Sequence, residues 1–398
     1  MNAGTDLTET AARAALRGLT PDSRSTDAVA DYARAIWSFL AEPGDGIAGC
    51  LRLALGPEAA LRVGLNGEAV PASAGVTREE FDRARARWKP RLDQRAIAAG
   101  LATARAAGIR LLTPGHEEWP GRLDDLGIHG PACLWVRGDP AAASAAASVA
   151  IVGARAATSY GELVAGELAA ELAGAGILVV SGAAYGIDGA AHRAALGAGG
   201  TTVALSAGGV ERPYPSGHAQ LSDRIARSGA VMSEVPCGGA PTKWRFLQRN
   251  RLIAALSDVT VVVEAGWRSG SLNTAGHAAA LGRLLGAVPG PVTSAASAGT
   301  HRLLREYDAV CVTGAADVRE MLGVDRPTLS LTGDGRTDDV TRVRDALSSR
   351  SHRSIDEIAA RCGMPLDEVT AVLGLLQLEG TAEHGSAGWR RPNGARAR

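Results

Sequence analysis

Between Val235 and Ser257 the chain carries no acidic residue, while Lys243, Arg245, Arg249 and Arg251 interleave with Trp244 and Phe246. Cations beside aromatic faces suit an unpaired polynucleotide. The charges neutralise phosphates and the rings stack exposed bases, each stacked base contributing about 1–3 kcal/mol with little sequence readout. A duplex would hide those bases. The blander alternative is a solvated basic helix whose Phe246 and Ile253 simply face the core. A further cation, Arg155, ends the tight turn Gly153-Ala154-Arg155. It stands near a helix start, where free backbone N–H groups and the helix dipole favour an anion. Taken alone, a surface arginine on a loop explains that feature equally well.

Other loops offer weaker signals. Ser181–Asp188 reads SGAAYGID and leads into a helix bearing His192, so Asp188 and His192 lie four apart on one helical face. Acid–base work is open to such a pair, but an aspartate that caps the helix and orients the histidine needs nothing more, and that reading is preferred. The Ser206–Gly209 turn precedes Tyr214-Pro215, and Glu264–Ser271 reads EAGWRSGS before a helix containing Thr274. Small residues there let a ligand approach the backbone closely. Gly153, Ser181, Gly182, Gly186, Asp188, His192, Gly208, Glu264, Ser269, Gly270 and Ser271 are thus possible pocket residues.

Several chemistries are disfavoured. The G-x-G-x-x-G fingerprint is absent after Gly153, and the next apolar run ends in Ser181-Gly182 rather than in an acid that could hold a ribose. The only lysines are Lys89 and Lys243, and neither follows a Gly-rich loop, which excludes a P-loop ATPase. Cys50, Cys133, Cys237, Cys311 and Cys362 are odd in number and form no C-x-x-C pair, so scattered buried thiols are expected rather than disulfides or a zinc knuckle. No catalytic set, metal or cofactor is expected.

The elements that must position these loops are legible in the pattern. From Val149 onward short apolar runs alternate with helix-length segments: 149–152, 177–180, 202–205, 230–232, 259–263, 286–288 and 310–312. Strands apolar on both faces imply a mostly parallel sheet covered by helices, and right-handed crossovers make it doubly wound. Val164, Leu168 and Leu172 form the stripe of the first crossover helix, and Ile109–Leu112 and Leu134–Val136 are candidate edge strands. Ligands of such sheets sit beyond the carboxyl ends of the strands, where the loops above lie.

Residues 1–107 read as a small helical domain, with Val29, Ala33, Ile36 and Leu40 in one stripe and Ile47, Leu51 and Leu55 starting the next after Pro43-Gly44. The sheet domain is assigned to 108–324, a Gly/Asp/Arg/Thr-rich linker to 325–338 and a second small domain to 339–398. In the last, Ser354 and Glu357 have capping-box spacing, Gly363 stops a helix, and Leu366, Val369, Leu373 and Leu376 form the next stripe. A hairpin over 381–389 completes a winged helix. Between Arg361 and Arg390 there is no Lys or Arg, and the second helix offers Asp367, Glu368 and Glu379. Major-groove readout by that helix is therefore not expected, and a protein-contact or regulatory role is.

Composition sets the outer limits. The 398 residues are 46% hydrophobic and only 4% aromatic, with 50 glycines, enough for one large and one or two small domains with Ala/Val/Leu cores. Lys plus Arg and Asp plus Glu both total 42, so a polyanion site must be local. Uncharged stretches such as Leu172–Ile187 are too short and too Gly-broken for a bilayer span, so a cytoplasmic protein without membrane contact is expected.

Seven motifs in order resemble the DNA-processing protein A (DprA/Smf) family: Gly153-Ala154-Arg155 for its GSR turn, Ser181–His192, Tyr214-Pro215, Ser233-Glu234, Lys243–Ile253, Glu264–Ala275 and Pro289-Gly290. The resemblance runs from about Leu112 to Val312. It implies an extended Rossmann-like domain that binds single-stranded DNA in a basic pocket, dimerises and loads the recombinase RecA during natural transformation. It also implies an N-terminal domain of the sterile-alpha-motif type and a C-terminal winged helix. By position, Arg155, Lys243, Phe246, Arg249, Asn250 and Arg251 resemble the DNA-binding set. Tyr185 stands where the family more often has Arg, Ala154 where it has Ser, and His301 where Asn is common. Two other readings compete: a Rossmann-like nucleoside-monophosphate phosphoribohydrolase using Glu264 as acid, whose PGG-x-GT-x-x-E motif is absent, and a winged-helix transcriptional regulator.

Overall fold

The computed structural model describes residues 6–20, 27–324 and 339–392. The chain divides into two compact units, Met1–Asp325 and Arg326–Arg398. The expected linker over 325–338 lies outside the described residues.

The first unit opens with helices α1 (Glu9–Leu16), α2 (Ala28–Leu40), α3 (Gly46–Leu55), α4 (Pro57–Asn66), α5 (Arg78–Trp88) and α6 (Gln94–Ala106). Their starts are set by local chemistry: Asp27 and Asp45 accept backbone N–H bonds at α2 and α3, and Thr77 with Glu80 closes a capping box at α5. Trp37, Phe81 and Trp88 anchor their core, which runs on into Trp135 and Val231 on the sheet and Cys237 in the loop after β6. The helices thus share one apolar interior with the sheet beneath them.

The sheet follows: β1 (Arg110–Leu112), β2 (Leu134–Gly138), β3 (Ser148–Val152), α7 (Ser159–Gly174), β4 (Leu178–Ser181), α8 (Ile187–Gly197), β5 (Thr202–Leu205), α9 (Ala219–Ser228), β6 (Ala230–Ser233), α10 (Lys243–Leu256), β7 (Val259–Val262), α11 (Ser271–Ala280), β8 (Leu284–Ala287), α12 (Ala298–Glu306), β9 (Val310–Cys311) and α13 (Ala315–Leu322). Among the described residues it has nine strands in the order β1-β2-β6-β5-β4-β3-β7-β8-β9. It is parallel from β6 through β9, with β1 and β2 antiparallel at one edge. Alternate residues of a strand enter opposite cores: Val149 and Ile151 pack with α7 and α8, Ala150 and Val152 with Leu252 and Ile253 of α10. Each fully buried Val or Ile contributes about 1.5–3 kcal/mol, which is why both faces must be covered. The strand order reverses between β3 and β7, so the loops that follow them diverge and leave a crevice at the carboxyl ends.

The second unit comprises α14 (Asp339–Ala346), α15 (Ile355–Cys362), α16 (Leu366–Leu378) and the hairpin β10 (Glu383–Gly385) with β11 (Gly388–Arg390), a winged helix. The Ser354–Glu357 capping box forms and Gly363 ends α15 at φ 65°. Leu366, expected in the buried stripe of α16, is instead 49% exposed. It stands in the first turn, ahead of the core formed by Val369, Leu373 and Leu376. Helix α14 carried no clear pattern in the sequence.

All five cysteines are free. Cys133, Cys237 and Cys362 are buried, whereas Cys311 on edge strand β9 is exposed and Cys50 half-buried, against the expectation of uniformly buried thiols. No helix of the described residues is long and apolar enough to cross a membrane.

Candidate nucleic-acid interface

At the β3/β7 switch point an open cleft of ≈ 720 Å³ is lined by Gly153, Arg155, Asp188, Tyr214, Lys243, Phe246, Arg249, Asn250, Arg268, Ser269, Gly270 and Ser271, among others. The β3 loop supplies Arg155, α8 supplies Asp188, the β5–α9 segment supplies Tyr214, helix α10 supplies Lys243, Phe246 and Arg249, and the β7–α11 loop supplies Arg268, Ser269 and Gly270. Thr242 caps α10 by accepting the Arg245 N–H, so the helix begins at Lys243 and points its first turn at the cleft. The Phe246 ring is half-buried. The Arg155 guanidinium lies 4.5 Å from its centroid, Arg249 lies 5.8 Å away, and the Tyr214 ring is 5.5 Å off, tilted by 52°. Arg155 and Lys243 are exposed, and among the described residues no carboxylate pairs with Arg155, Lys243 or Arg268.

The four cations of α10 are not equivalent, which corrects the count made from the sequence. Arg251, expected in the DNA-binding set, does not reach the cleft: it is 2% exposed and forms a bidentate ion pair with Glu234 while donating to the His129 carbonyl. Arg245 is likewise engaged, donating twice to Glu42 at 2.9 Å. Burial opposes ionisation of Glu42, but hydrogen bonds from Arg245 and Arg91 outweigh it and hold that carboxyl below its ordinary value. Neither acid lies within the acid-free stretch, so the fold brings the compensation.

Arg249 faces the cleft but is only 5% exposed, and its Nη1 donates to the carbonyls of Gly182 and Leu205, pinning the ends of β4 and β5. Burial lowers its pKa to about 10, with Asp188 opposing the shift, so the group stays charged at neutral pH. Asn250 bridges α10 to the end of the β7–α11 loop through the Gly270 carbonyl and to α11 through the Asn273 side chain.

Several loop residues that were candidates for the pocket turn out to build its walls instead. Ser181 donates to the Ile151 carbonyl at 2.6 Å, and a Cβ on Gly182 would stand 2.0 Å from Arg249 Nη1. Gly186 adopts φ 71° so that α8 can start against the Ala154 carbonyl, a conformation that favours glycine. Gly208 packs on Pro241. Glu264 is 2% exposed, and its carboxylate accepts from the backbone N–H and hydroxyl of Thr158 at the start of α7. The anion expected near that helix start is thus already present as Glu264, which satisfies the helix end and is unavailable as an external acid.

Asp188 does not cap α8, whose N-cap is Gly186 with no side-chain bond; it sits in the first turn, accepting from the Ala184 N–H at 3.3 Å, and burial raises its pKa despite the Arg249 charge. It does not orient His192. The His192 Nδ1 lies 2.7 Å from the Thr202 hydroxyl, which itself donates to the Val179 carbonyl, so Nδ1 carries the hydrogen. Burial drives the His192 pKa down to about 3. A fully buried neutral imidazole is a core residue.

Two rim residues escaped the sequence reading. Arg268 lies inside the quoted EAGWRSGS segment, but nothing local separates it from other loop arginines. Tyr214, quoted only for its motif, contributes a ring. Tyr185 is 49% exposed and stacks edge-on against His218 at 4.8 Å.

Residues 110–323 match the family model described as DNA recombination-mediator protein A, and residues 327–388 match the DprA winged helix domain. The DNA processing protein DprA of Mycobacterium tuberculosis is 44% identical over 379 residues, covering 89% of this chain and 93% of that relative. The X-ray structure of DprA from Streptococcus pneumoniae superposes with a TM-score of 0.58 at 27% identity, covering 72% of this chain and 95% of that one. A structure of DprA from Helicobacter pylori, solved for its single-stranded DNA binding mode, has a TM-score of 0.50 at 32% identity and covers 55% and 96%. Motif order, sheet topology and these matches agree: the chain belongs to the DNA-processing protein A (DprA/Smf) family.

Proposed function

We propose that the cleft binds single-stranded DNA and that the chain works as a non-catalytic recombination mediator. In this reading a cytoplasmic homodimer protects incoming strands and loads RecA onto them during transformation. The carrying observation is the convergence of Arg155 and Lys243 around Phe246 at the mouth of the parallel sheet. Unpaired cations take phosphates, and the flanked ring offers an edge or face to an unstacked base, which a duplex cannot present. The Helicobacter pylori relative binds single-stranded DNA, which supports the same reading here.

Fluorescence anisotropy with oligo(dT) and a duplex of equal length tests it. Binding to oligo(dT) is expected to be tighter and strongly salt-dependent. Arg155→Glu and Lys243→Glu should each weaken it tenfold or more, since a hydrogen bond to a charged group is worth about 1.5–3 kcal/mol. Unchanged affinity in both variants refutes the site. The phosphoribohydrolase alternative loses its acid, because Glu264 is held by Thr158. Release of free base from nucleoside monophosphates, abolished by Glu264→Gln, would restore it.

A further inference from the structure

Aromatic residues make up only 4% of the chain, yet Tyr185, Tyr214, Trp244 and Trp267 are each 49–58% exposed, and all four stand on the cleft or next to a residue that lines it. Trp267 is the most exposed of them at 58%, and its chain neighbours on both sides, Gly266 and Arg268, line the cleft. Its indole is backed from α12: the Arg302 Cζ lies 5.2 Å from the ring centroid. Arg302 is itself held from behind, with Nε donating to Glu306 at 2.8 Å and Nη2 to the Tyr307 hydroxyl at 3.2 Å. The loop bearing Trp267 is tied to the start of α12 and the residues just before it by the Ala265 N–H to the Ala296 carbonyl and the Gly299 N–H to the Ala265 carbonyl. A large ring is therefore steadied on one side and left open to water on the other.

We propose that Trp267, backed by Arg302, is a stacking station for a base of the strand as it leaves the cleft toward α12. The inference rests on the reading that the cleft holds single-stranded DNA, and extends it to the path outside. Phe246 is half-buried between Arg155 and Tyr214, so the cleft itself seats few bases, and a longer strand must cross the rim. On the α12 side that rim presents Arg268, which pairs with no carboxylate among the described residues, next to the indole. A cation beside an open ring matches the phosphate–base repeat of a single strand. An apolar protein partner would use the ring but leave the adjoining charge unanswered.

The station predicts a length effect. Titrations of the full chain with a thymidine tetranucleotide, confined to the cleft, and a dodecanucleotide, which crosses the rim, separate the two contributions. Trp267→Ala should weaken the dodecanucleotide on the order of tenfold, as expected for one lost stack. It should leave the tetranucleotide and the salt dependence nearly unchanged, because stacking releases no counterions. Trp267→Phe should restore most of the loss, and Arg302→Ala should show a weaker form of it. Lys243→Ala, by contrast, should weaken both lengths. If Trp267→Ala binds the dodecanucleotide like the parent while Lys243→Ala does not, the station is wrong and the cleft reading stands. If Lys243→Ala is also without effect, both fall together.

Discussion

The salt dependence of binding separates the cations that face the cleft from those that merely sit on α10. Three exposed charges there lack a carboxylate partner among the described residues, Arg155, Lys243 and Arg268, while Arg249 is buried and committed to the Gly182 and Leu205 carbonyls. At about 0.7 counterion per neutralised phosphate of a single strand, they give a slope of log affinity against log salt of roughly −2, or a loss of about 20-fold between 50 and 200 mM. Lys243→Ala should reduce the slope to roughly −1.4 and the loss to about sevenfold. Arg245→Ala should leave the slope alone, because that guanidinium is committed to Glu42, which keeps Arg91 as a second partner. The assay is anisotropy of a labelled thymidine hexanucleotide across a salt series. A parent slope of roughly −4, as six free cations would give, or an equal drop for Arg245→Ala and Lys243→Ala, refutes the division between free and paired charges.

Three further outcomes follow from the same geometry. Phe246→Ala should cost about 1–3 kcal/mol of single-strand affinity without altering the salt slope, since a ring carries no counterion; anisotropy in two salts checks it. Glu234→Ala should strip Arg251 of its partner at a site where both side chains are below 10% exposed, destabilising the fold by about 3–5 kcal/mol in urea titrations. His192 sets an acid limit: its pKa is about 3 in the folded chain against 6.5 ordinarily. The unfolded chain therefore takes the proton first, and stability that is complete above pH 6.5 declines as pH falls toward 3. At pH 5 the loss from this group is about 2 kcal/mol. The drop in urea-derived stability from pH 7 to 5 should shrink by that amount in His192→Gln, and an unchanged drop would show that the imidazole is not the titrating group.

What could be read from the sequence is what short-range chemistry controls. Runs such as Val149–Val152 and Thr202–Leu205 are apolar on both faces, and that local period alone calls for buried parallel strands. The Ser354–Glu357 box and Gly363 likewise mark helix ends within one turn. The basic, ring-bearing segment was visible for the same reason: Lys243 and Phe246 are three apart on one helix and need no distant residue to be neighbours.

The identity of the free charges was decided by the tertiary structure. Glu42 lies 203 residues from Arg245, and Glu234 precedes Arg251 by 17, so the acid-free stretch is neutralised at two positions by groups that no local window contains. Glu264 and Thr158, 106 residues apart, meet only because β7 lies beside β3, and their contact turns a possible acid into a helix cap. Arg268 becomes a cleft residue through the same strand neighbourhood. Sequence patterns report which residues could act; electrostatic pairing falls off within a few ångströms, so which of them remain free is known only once the chain has folded.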